Sequence, residues 1–583
     1  MGKVIGIDLG TTYSAAACLN EDGKPVIIPD RNGNKMVPSI VAFTPETVLV
    51  GFAAGGRELS SPQSVVKRIK RKMGTDYKFS SGGRDYSPEE ISSFILKHLK
   101  SMAEEYLGCQ VREAIITVPA YFNDNQRQAT KTAGKLAGLN VRRIINEPTA
   151  ASLSYGIKPG EDLNIMVYDL GGGTFDVSIL SVSDGIYEVV STAGDNNLGG
   201  EDFNMRIIDI ICDNFKKENG IDLREDPLAL VKIASAVEKA KRELSTSKKT
   251  SINVPFITAD ENGPKNIDFE ITRKEFEDLI EDYLDRTMEL CGQAAMDAGI
   301  SFENIDRIIP VGGSSRIPAV RQRLSGLSGK ALSDKLDPEQ VVACGAAIQG
   351  GIVEGDVGGI VLVDVTPLSL GIEVEDGFFV PIIERNNPIP TAAKRTFTTV
   401  ADSQKIVDIH IMQGESMYSR NNISLGKFRL EGIRQALRGE PRIEVNFELD
   451  VNGILQVSAQ DIDTKNIQQV TIVNENRMSE QEFSKLREEY SEKFDHEIKK
   501  RDILDSVLIM QTKAETMISR LYRALPPVYE KSLIREEIEE IRRNLEESVR
   551  ELDRGKLERL VQRLDFLLEE SAAGVFNYGE IGA

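Results

Sequence analysis

Short apolar runs alternate with longer amphipathic stretches over residues 1–355, and this pattern predicts an α/β fold. The run at 165–168 has the length of a buried strand and ends at Asp169. Three glycines at 171–173 and then Thr174 follow before the next apolar run begins. Because glycine lets the backbone turn tightly and approach a ligand, the segment predicts a strand, a ligand-binding loop and a second strand.

The same order of residue types occurs at the N-terminus. Residues 4–12 read VIGIDLGTT, an apolar run followed by Asp8, Gly10 and two threonines. A third glycine turn, within 308–316, again follows an apolar run. The repeat indicates two halves that face one nucleotide, although a glycine-rich hairpin without a ligand is the alternative for any single loop.

The residue types in these loops suit phosphate. Backbone N–H groups in glycine turns form a concave surface that favours anions, a strand-end carboxylate suits a hydrated Mg²⁺, and a hydroxyl can meet a phosphate oxygen. The sequence has no GxxxxGK[ST] motif, which excludes a P-loop.

After residue 365 the pattern becomes β-rich. Runs typical of strands lie at 395–400, 406–412, 442–449, 454–459 and 469–473. Apolar and polar residues alternate along 443–449, and Asn452-Gly453 is a strong hairpin signal. This region predicts a β-sandwich.

Residues 356–364 form the clearest domain boundary. Two glycines at 358–359 precede four apolar residues at 360–363. An apolar linker is expected to dock on a neighbouring surface; the alternative is that the run is the first strand of the next domain.

The pattern is helical from residue 477. Ser479 and Glu482 have the spacing of a capping box. Apolar residues then recur at spacings of three and four, at Ile534, Ile538, Ile541, Leu545, Val549 and Leu552. We expect a helical bundle or lid, followed by a frayed tail at 574–583.

Composition narrows the functional classes. The 583 residues include 71 basic and 91 acidic ones, and the net charge of −20 argues against a nucleic-acid or anionic-membrane partner. Three histidines make a histidine-based metal site unexpected, and the five cysteines form no CxxC pair. With no signal region and no membrane-spanning apolar run, a cytoplasmic protein is expected.

Three charged features have a plain structural interpretation. The basic cluster at 67–72 is typical of a solvated face, and the helix at 238–245 of an exposed, charged one. Glu147 before Pro148 is typical of a helix start.

Seven motifs in order make the chain resemble the seventy-kilodalton heat-shock chaperones, most closely the bacterial DnaK type. They are GIDLGTTYS (6–14), ITVPAYFND (116–124), IINEPTAA (144–151), YDLGGGTFDVS (168–178), LGGEDF (198–203), VGGSSRIP (311–318) and DVTPLSLGIE (364–373). The resemblance implies a multidomain protein. Its parts would be an actin-like α/β ATPase domain (duplicated, ribonuclease H-like) at 1–355, a linker at 356–364, a β-sandwich substrate-binding domain at 365–475, and a helical lid and tail at 476–583.

The resemblance further implies an ATPase that uses ATP/ADP and Mg²⁺, with K⁺ as a further candidate. Lys70, Glu147, Asp169 and Thr174 would be catalytic, which overrides the solvated-face interpretation for Lys70. Asp8, Glu147 and Asp169 would hold Mg²⁺, largely through water. The remaining nucleotide-binding positions would be Gly10, Thr11, Thr12, Tyr13, Gly171, Gly172, Gly173, Gly199, Gly200, Glu238, Lys241, Arg242, Ser245, Gly312, Gly313, Ser314 and Arg316.

In the family, ATP controls the binding and release of extended apolar segments of unfolded polypeptides. The peptide-binding positions would be Ile372, Val374, Glu375, Phe397, Val400, Val407 and Ile409; the alternative is that they are sandwich core. Allosteric positions would be Pro119, Arg127, Arg143, Asn146, Leu362 and Asp364. The partners implied are unfolded polypeptides, a J-domain co-chaperone and a GrpE-type exchange factor, with no nucleic acid and no membrane.

Some residues depart from the bacterial pattern. Glu375 stands where an apolar residue is usual, Val400 where a small one is common, and Gly359 where an acidic residue usually precedes the linker. The lid is short and lacks an acidic tail. The departures suggest a specialised paralogue, and the family's peptide preference does not carry over to it.

Two other functions share the two-loop architecture. A sugar or acetate kinase would need an acceptor pocket, and an actin-like filament protein would assemble with ATP. Neither has a use for a β-sandwich and a lid, so the C-terminal third argues against both.

Overall fold

The protein is described from a computed structural model. The residues that the structure describes are 3–45, 47–156, 161–261, 263–330, 332–333, 336–465, 467–471, 510, 513–514, 517–518, 521, 533–550 and 554–572. The chain forms two compact units, one of residues 1–44 and 50–479, the other of 45–49 and 480–583.

The first sheet contains the N-terminal repeat. Its strand order is β11-β10-β1-β2-β3, with β4 paired to β2, and β1 runs parallel to β10 but antiparallel to β2. The strands are β1 (Val4–Asp8), β2 (Tyr13–Leu19), β3 (Pro25–Ile27), β4 (Val37–Pro38), β10 (Glu113–Val118) and β11 (Asn140–Asn146). The tight β1–β2 connection carries Gly10 to Thr12.

The second sheet repeats this arrangement. Its order is β17-β12-β13-β14-β18-β21, with β12 parallel to β17 and antiparallel to β13. The strands are β12 (Leu163–Leu170), β13 (Phe175–Ser183), β14 (Ile186–Asp195), β17 (Arg307–Val311), β18 (Val361–Val365) and β21 (Pro388–Ile389). The predicted strand, loop and second strand at 165–176 are confirmed.

Two helices, α4 (Glu147–Ser154) and α10 (Val341–Glu354), pack between the sheets. They cross very closely, since a Cβ added to Gly345 would lie 1.7 Å from the carbonyl oxygen of Ala150. Their apolar faces join one core that includes Val4 and Ile115 of the first sheet and Val167 of the second. The core thus fixes the two sheets against each other.

The other helices of this part surround the sheets. They are α1 (Phe52–Gly55), α2 (Pro88–Leu107), α3 (Asp124–Leu136), α5 (Gly200–Asn219), α6 (Pro227–Leu244), α7 (Arg273–Leu279), α8 (Glu281–Ala298) and α9 (Pro318–Ser328). The peripheral strands are β5 (Ile40–Phe43), β6 (Val48–Val50), β7 (Val65–Lys67), β8 (Phe79–Ser81), β9 (Arg84–Tyr86), β15 (Lys249–Asp260) and β16 (Gly263–Thr272).

The predicted β-sandwich is present as two four-stranded antiparallel sheets, ordered β20-β19-β23-β24 and β22-β25-β26-β27. The strands are β19 (Leu370–Glu373), β20 (Phe379–Ile383), β22 (Thr391–Phe397), β23 (Ile406–Gln413), β24 (Ile423–Glu431), β25 (Ile443–Leu449), β26 (Leu455–Asp461) and β27 (Ile467–Thr471). Their apolar faces form one core around the fully buried Phe447. The hairpin predicted at Asn452-Gly453 joins β25 to β26.

The strand predicted at 395–400 was wrong at both ends, since strand β22 begins four residues earlier, at Thr391. The run predicted at 395–400 ends as a strand at Phe397. The amide of Val400 is instead bound by the side chain of Gln404, 3.0 Å away, and the carbonyl of Thr399 by the amide of Gly439, 3.2 Å away. These local hydrogen bonds turn the chain away from the sheet.

The apolar run at 360–363 both docks and forms a strand. Strand β18 pairs in parallel with β14, with Leu362 opposite Tyr187, and its end pairs with β21 through Asp364 and Ile389. The run is therefore a strand of the second sheet, and its assignment as a linker or as the start of the next domain stays a prediction.

In the second unit the described helices are α11 (Leu533–Arg550) and α12 (Arg554–Ala572). From the predicted stripe, Ile538, Ile541 and Leu545 are buried against Leu557 and Leu564. The capping box, Leu552 and the predicted frayed tail lie outside the described residues. Among the helices that the structure describes, none is long and apolar enough to cross a membrane.

Candidate functional site

A cavity of about 320 Å³ lies where the loops after β1, β12 and β17 meet. Parallel strands present their carboxyl ends at one edge of a sheet, which is where α/β proteins place ligands. Predicted residues that line the cavity are Asp8, Gly10, Thr11, Thr12, Tyr13, Lys70, Glu147, Asp169, Gly171, Gly172, Thr174, Glu238, Lys241, Arg242, Ser245, Gly312, Gly313, Ser314 and Arg316.

The floor of the cavity holds a buried lysine among carboxylates. Lys70 is 5% exposed, and its Nζ donates to Oε1 of Glu147 at 2.5 Å. Burial lowers the pKa of Lys70, but the carboxylates of Glu147 and Asp8 outweigh this effect and the net pKa is raised. The solvated-face interpretation was therefore wrong for Lys70, which is a buried cation.

Lys70 is one cation among several carboxylates, those of Asp8, Glu147, Asp169 and Asp176. Burial and the charge of Glu147 raise the pKa of Asp8 to about 7, and the same two causes raise the pKa of Asp169 well above its usual value. Burial and Glu147 also raise the pKa of Asp176 to about 7. A divalent cation near Asp8 and Asp169 would relieve this repulsion, so the donor set fits Mg²⁺.

Among the residues that the structure describes, no three His, Cys, Asp or Glu side chains are grouped closely enough to hold a metal ion directly. Mg²⁺ often keeps several of its waters, and a water-mediated site at Asp8, Glu147 and Asp169 stays a prediction.

The two glycine loops approach each other closely above the carboxylates. A Cβ on Gly172 would lie 2.1 Å from Oγ1 of Thr12, so only glycine fits there. Oγ1 of Thr12 is buried and has no hydrogen-bond partner among the residues that the structure describes. A buried hydroxyl without a partner is costly, and a phosphate oxygen would satisfy it.

The wider end of the cavity is lined by α6 and by the loop after β17. Glu238 accepts from Nζ of Lys241 at 2.7 Å and from Nε of Arg242 at 2.8 Å, and the guanidinium of Arg242 lies 5.2 Å from the ring centre of Tyr13. Oγ of Ser314 donates to the carbonyl of Gly171 at 3.0 Å. The predicted exposed helix face is thus turned towards the cavity.

Three predicted residues lie behind the cavity wall, and several lining residues were missed. Gly173, Gly199 and Gly200 do not line the cavity, whereas Met36, Glu201, Thr246, Val311, Ile317, Pro338, Glu339 and Val342 do. Thr246 follows the predicted Ser245 directly, and Glu201 follows Gly200. Met36 and Pro338 carry no sequence signal that points to a ligand.

The predicted allosteric residues form a buried polar network beside β18. Arg127 donates to Oδ1 of Asn146 at 2.7 Å, and Nδ2 of Asn146 donates to Oδ1 of Asp364 at 2.6 Å. Burial lowers the pKa of Arg127. Burial also raises the pKa of Asp364, and the positive charge of Arg127 partly opposes this rise. Pro119 follows strand β10 and begins a turn in which the amide of Phe122 donates to the carbonyl of Pro119.

Arg143 belongs to the same region, and burial lowers its pKa against the opposing charge of Asp364. Leu362 lies in the middle of β18, opposite Tyr187.

The sandwich also contacts the first part of the chain through polar pairs that the sequence analysis missed. The amide of Leu455 donates to Oδ1 of Asp124 at 2.9 Å, and Nη2 of Arg385 donates to Oδ1 of Asp297 at 2.8 Å. Leu455 and Asp124 are 331 positions apart, and Arg385 and Asp297 are 88 positions apart, so sequence spacing gives no signal for these pairs.

The predicted peptide residues divide into two groups. Ile372 and Ile409 are buried in the sandwich core, with Val374, Phe397 and Val407 packed partly against it. Val400 is 47% exposed, and the exposed Glu375 accepts from Nη2 of Arg438 at 2.8 Å. The core alternative therefore holds for the first two, and the pocket stays a prediction.

A family comparison covers nearly the whole chain. The model of the family HSP70, described as Hsp70 protein, matches residues 4–575. The match spans both sheets around the cavity, the sandwich, and helices α11 and α12.

Proposed function

The chain belongs to the Hsp70 family, whose members are ATPases and ATP-dependent chaperones that bind ATP or ADP with Mg²⁺, and from this premise we propose how its cavity and sandwich work together. ATP binds between the two glycine loops and is hydrolysed there. Hydrolysis controls the affinity of the sandwich for extended apolar segments of unfolded polypeptides.

The cavity supplies what phosphoryl transfer to water needs, namely positioning and charge neutralisation. Lys70 stays protonated beside Glu147 and orients the attacking water at the γ-phosphate. Amides of the glycine loops and the hydroxyls of Thr12 and Thr174 bind the phosphate oxygens. Mg²⁺, when bound near Asp8 and Asp169, would neutralise charge on the phosphates.

Strand β18 is the observation that supports coupling. It continues the sheet of the cavity through β14 and reaches the sandwich through β21. Its last polar residue, Asp364, is bound by Asn146, which precedes Glu147 of the cavity by one residue. We propose that the γ-phosphate favours the paired strand and that hydrolysis releases it, a two-state switch of the kind seen in other nucleotide-driven proteins.

The test is single-turnover ATP hydrolysis with and without a short apolar peptide. We expect peptide to accelerate hydrolysis, and Lys70→Ala to slow it about 10²–10³-fold, because a positioned charge at the transition state is lost. Lys72→Ala, an exposed neighbour, is the matched control and should hydrolyse at the wild-type rate.

The outcomes separate the two parts of the proposal. Hydrolysis without any response to peptide would leave the ATPase standing and overturn the coupling. Equal rates in Lys70→Ala and wild type would overturn the role of the lysine. If Val361→Asp with Leu362→Asp kept full stimulation by peptide, β18 would not carry the signal.

We also propose the finer assignments. These are the domain bounds 1–355, 356–364, 365–475 and 476–583, a bacterial DnaK-type chaperone of the cytoplasm, and partnership with a J-domain protein and a GrpE-type exchange factor. The buried network of Arg127, Asn146 and Asp364 beside β18 supports the proposal that co-chaperones act on this region.

A further inference from the structure

A serine, a histidine and a glutamate form a hydrogen-bonded chain on the outer face of one sheet of the sandwich. Nδ1 of His410 lies 2.5 Å from Oε2 of Glu373, and Nε2 of His410 lies 2.8 Å from Oγ of Ser424. We call these three residues the triad. The residues that line the nucleotide cavity and those predicted to bind peptide are different ones.

Three neighbouring strands supply the triad. Glu373 ends β19, His410 lies in the middle of β23, and Ser424 lies near the start of β24. Strand β23 pairs with both of the others. Side chains on one face of paired strands come within contact distance, so the sheet itself holds the three groups together.

A β-bulge in β24 brings Ser424 to the outer face. The register between β23 and β24 shifts by one residue, because Met412 is opposite Ser424 and Leu425 is an extra residue in the ladder. Leu425 is buried in the core, whereas Ser424 is exposed. A slip of one residue reverses the face to which a side chain points, so the bulge is what aims Ser424 at His410.

The positions of the protons follow from the chemistry of each group. The hydrogen bond from His410 holds the pKa of Glu373 below its usual value, so this carboxylate is ionised and can only accept. Nδ1 of His410 therefore donates to Glu373, and Nε2 is left to accept the hydroxyl proton of Ser424. A serine, a base and an orienting carboxylate in this order form the arrangement of serine hydrolases, which recurs on unrelated folds.

A cation lies beside the triad. Lys427 of β24 is directly opposite His410, and its charge adds to the effect of His410 on the pKa of Glu373. Side chains that are directly opposite each other on paired strands have Cβ atoms about 5 Å apart. The ammonium group of Lys427 is thus close enough to stabilise negative charge that develops on an acyl oxygen at Ser424.

We propose that the triad is a second catalytic centre, which needs no ATP and hydrolyses activated esters of small acids through Ser424. Oγ of Ser424 attacks the acyl carbon while Nε2 of His410 takes the hydroxyl proton. The bond from that carbon to the alcohol oxygen breaks, and the alcohol leaves with the proton from His410. Water then attacks the acyl-serine in the same way, the carboxylic acid is released, and the proton returns to Oγ of Ser424.

The exposure of Ser424 decides the class of substrate. Its hydroxyl lies at the surface of the sheet, where little binding energy is available to drive a difficult cleavage. The ester must therefore carry a good leaving group, such as a phenol, and a small acyl group. Glu373 is a positioning residue, because it acts through the ring of His410.

The test is the hydrolysis of 4-nitrophenyl acetate by the full chain without nucleotide. We expect Ser424→Ala and His410→Gln each to lower the rate about 10²-fold, since a positioned base contributes about this much. Glu373→Gln should lower it at least about tenfold. Glu373→Asp should restore part of the rate, because a carboxylate that still reaches the ring can orient it.

The chain offers a matched control for the serine and for the histidine. Ser458 lies on β26 in the other sheet of the sandwich, and His98 lies on α2. Ser458→Ala and His98→Gln should hydrolyse the ester at the wild-type rate. These controls separate the triad from slow cleavage by any surface hydroxyl or imidazole.

Covalent labelling gives a second measurement on the wild-type chain. An activated serine displaces fluoride from a fluorophosphonate, so peptide mass spectrometry should find the label on Ser424, and His410→Gln should lose it. If Ser424→Ala failed to fold, the labelled position and the two Glu373 variants would still decide.

Two results would overturn the triad as a catalytic centre. One is an equal rate of ester hydrolysis in wild type, Ser424→Ala and His410→Gln. The other is a label spread over many serines with no preference for Ser424. A rate in Glu373→Asp as low as in Glu373→Gln would overturn the positioning role of the carboxylate. Because the assay contains no nucleotide, none of these results bears on the proposed ATPase.

Discussion

At the scale of single residues, the cavity concentrates charge that only folding makes possible. Asp8 is a strand-end aspartate, and nothing in its own sequence neighbourhood distinguishes it from an exposed one. The fold half-buries Asp8 beside the cavity and brings Glu147 close, and the desolvation and the charge of Glu147 raise its pKa to about 7. Repulsion between the carboxylates of Asp8 and Glu147 destabilises the protein without ligand, and a bound cation would relieve this repulsion.

The pH dependence of stability tests this arrangement. The folded-state pKa of Asp8 lies above its unfolded value, so the folded protein binds the extra proton, and stability is lost as pH rises from about 4 towards about 7. Asp8→Asn mimics the protonated acid at every pH. We therefore expect the melting temperature of nucleotide-free Asp8→Asn to exceed that of wild type by an amount that grows over this pH range.

The control is Asp22→Asn, at an exposed turn, whose melting temperature should follow wild type throughout. Scanning calorimetry without nucleotide or Mg²⁺ makes the measurement. A constant difference between Asp8→Asn and wild type across the range would contradict the burial of an ionisable Asp8.

At the scale of elements, the close contact between helices α4 and α10 fixes the position of the two sheets relative to each other. Helices α4 and α10 cross at Gly345, where the backbone of Ala150 occupies the space of a side chain. Apolar periodicity predicts that such helices are buried, but it does not predict how near they approach. Only the packed structure identifies the glycine that permits the crossing.

Gly345→Ala should destabilise the protein strongly. Its new methyl group would meet the carbonyl of Ala150 at 1.7 Å, so the helices must separate, and we expect a loss of about 1–3 kcal/mol, as for overpacked cores. Gly326→Ala in α9 is the matched control, because a methyl group there meets none of the described residues within 4 Å. That variant should gain up to about 1 kcal/mol from helix propensity.

Urea unfolding followed by circular dichroism gives both free energies of unfolding. Similar values for the two variants would mean that the close crossing at Gly345 does not exist.

A second glycine tests whether β18 pairs as described. Gly185, in the turn between β13 and β14, has a φ of 81°, and a Cβ there would lie 2.2 Å from the carbonyl oxygen of Gly359. Gly185→Ala should therefore push the chain before β18 away and weaken its pairing. Hydrogen exchange at the amides of Val361 and Val363 should become about tenfold faster, which corresponds to about 1.4 kcal/mol of lost protection.

Gly83→Ala separates this clash from backbone strain. Gly83 occupies a similar hairpin position between β8 and β9 with a φ of 77°, but nothing lies within 4 Å of its Cβ position. Its variant carries the same left-handed strain and should leave β18 protected. Equal exchange in both variants would show that strain, not contact with Gly359, is responsible.

At the scale of the whole molecule, the sequence predicted the repeated strand-and-loop units and the sandwich because both depend on local patterns. Apolar runs, glycine turns and alternation are read within about ten residues of one another. The cavity followed because strand-end loops gather at a sheet edge. The contact between Leu455 and Asp124 joins positions 331 apart. It depends on how the folded sandwich packs against the first part of the chain, and local sequence patterns carry no information about that packing.

The basic segment at 67–72 shows the same limit. Its composition is that of a solvated face, and Lys72 is indeed exposed, yet Lys70 is buried and Arg71 is half-buried. The carboxylate of Glu147 binds Lys70 and that of Asp202 binds Arg71, and both carboxylates come from distant parts of the chain. Resemblance to a family identified Lys70, whereas the pairing of Arg71 with Asp202 emerged only from the structure.

The network at Asp364 yields a prediction that concerns the entire chain. Asp364 is 5% exposed and accepts hydrogen bonds from Asn146 at 2.6 Å and from Oγ1 of Thr149 at 3.3 Å, while the buried Arg127 is linked through Asn146. Asp364→Asn keeps the size of the side chain but removes the charge that compensates Arg127. Since an uncompensated buried charge costs about 3–5 kcal/mol, β18 should leave its place before the surrounding fold opens.

Stimulation of single-turnover ATP hydrolysis by an apolar peptide should then fall about tenfold, because the cavity and the sandwich lose their shared strand. ATP affinity should stay near wild type, since the cavity residues are untouched. Asp356→Asn, exposed and eight positions earlier in the chain, is the control and should keep full stimulation. Full stimulation in Asp364→Asn would mean that the signal reaches the sandwich through another contact, and Arg385 with Asp297 would be the next pair to break.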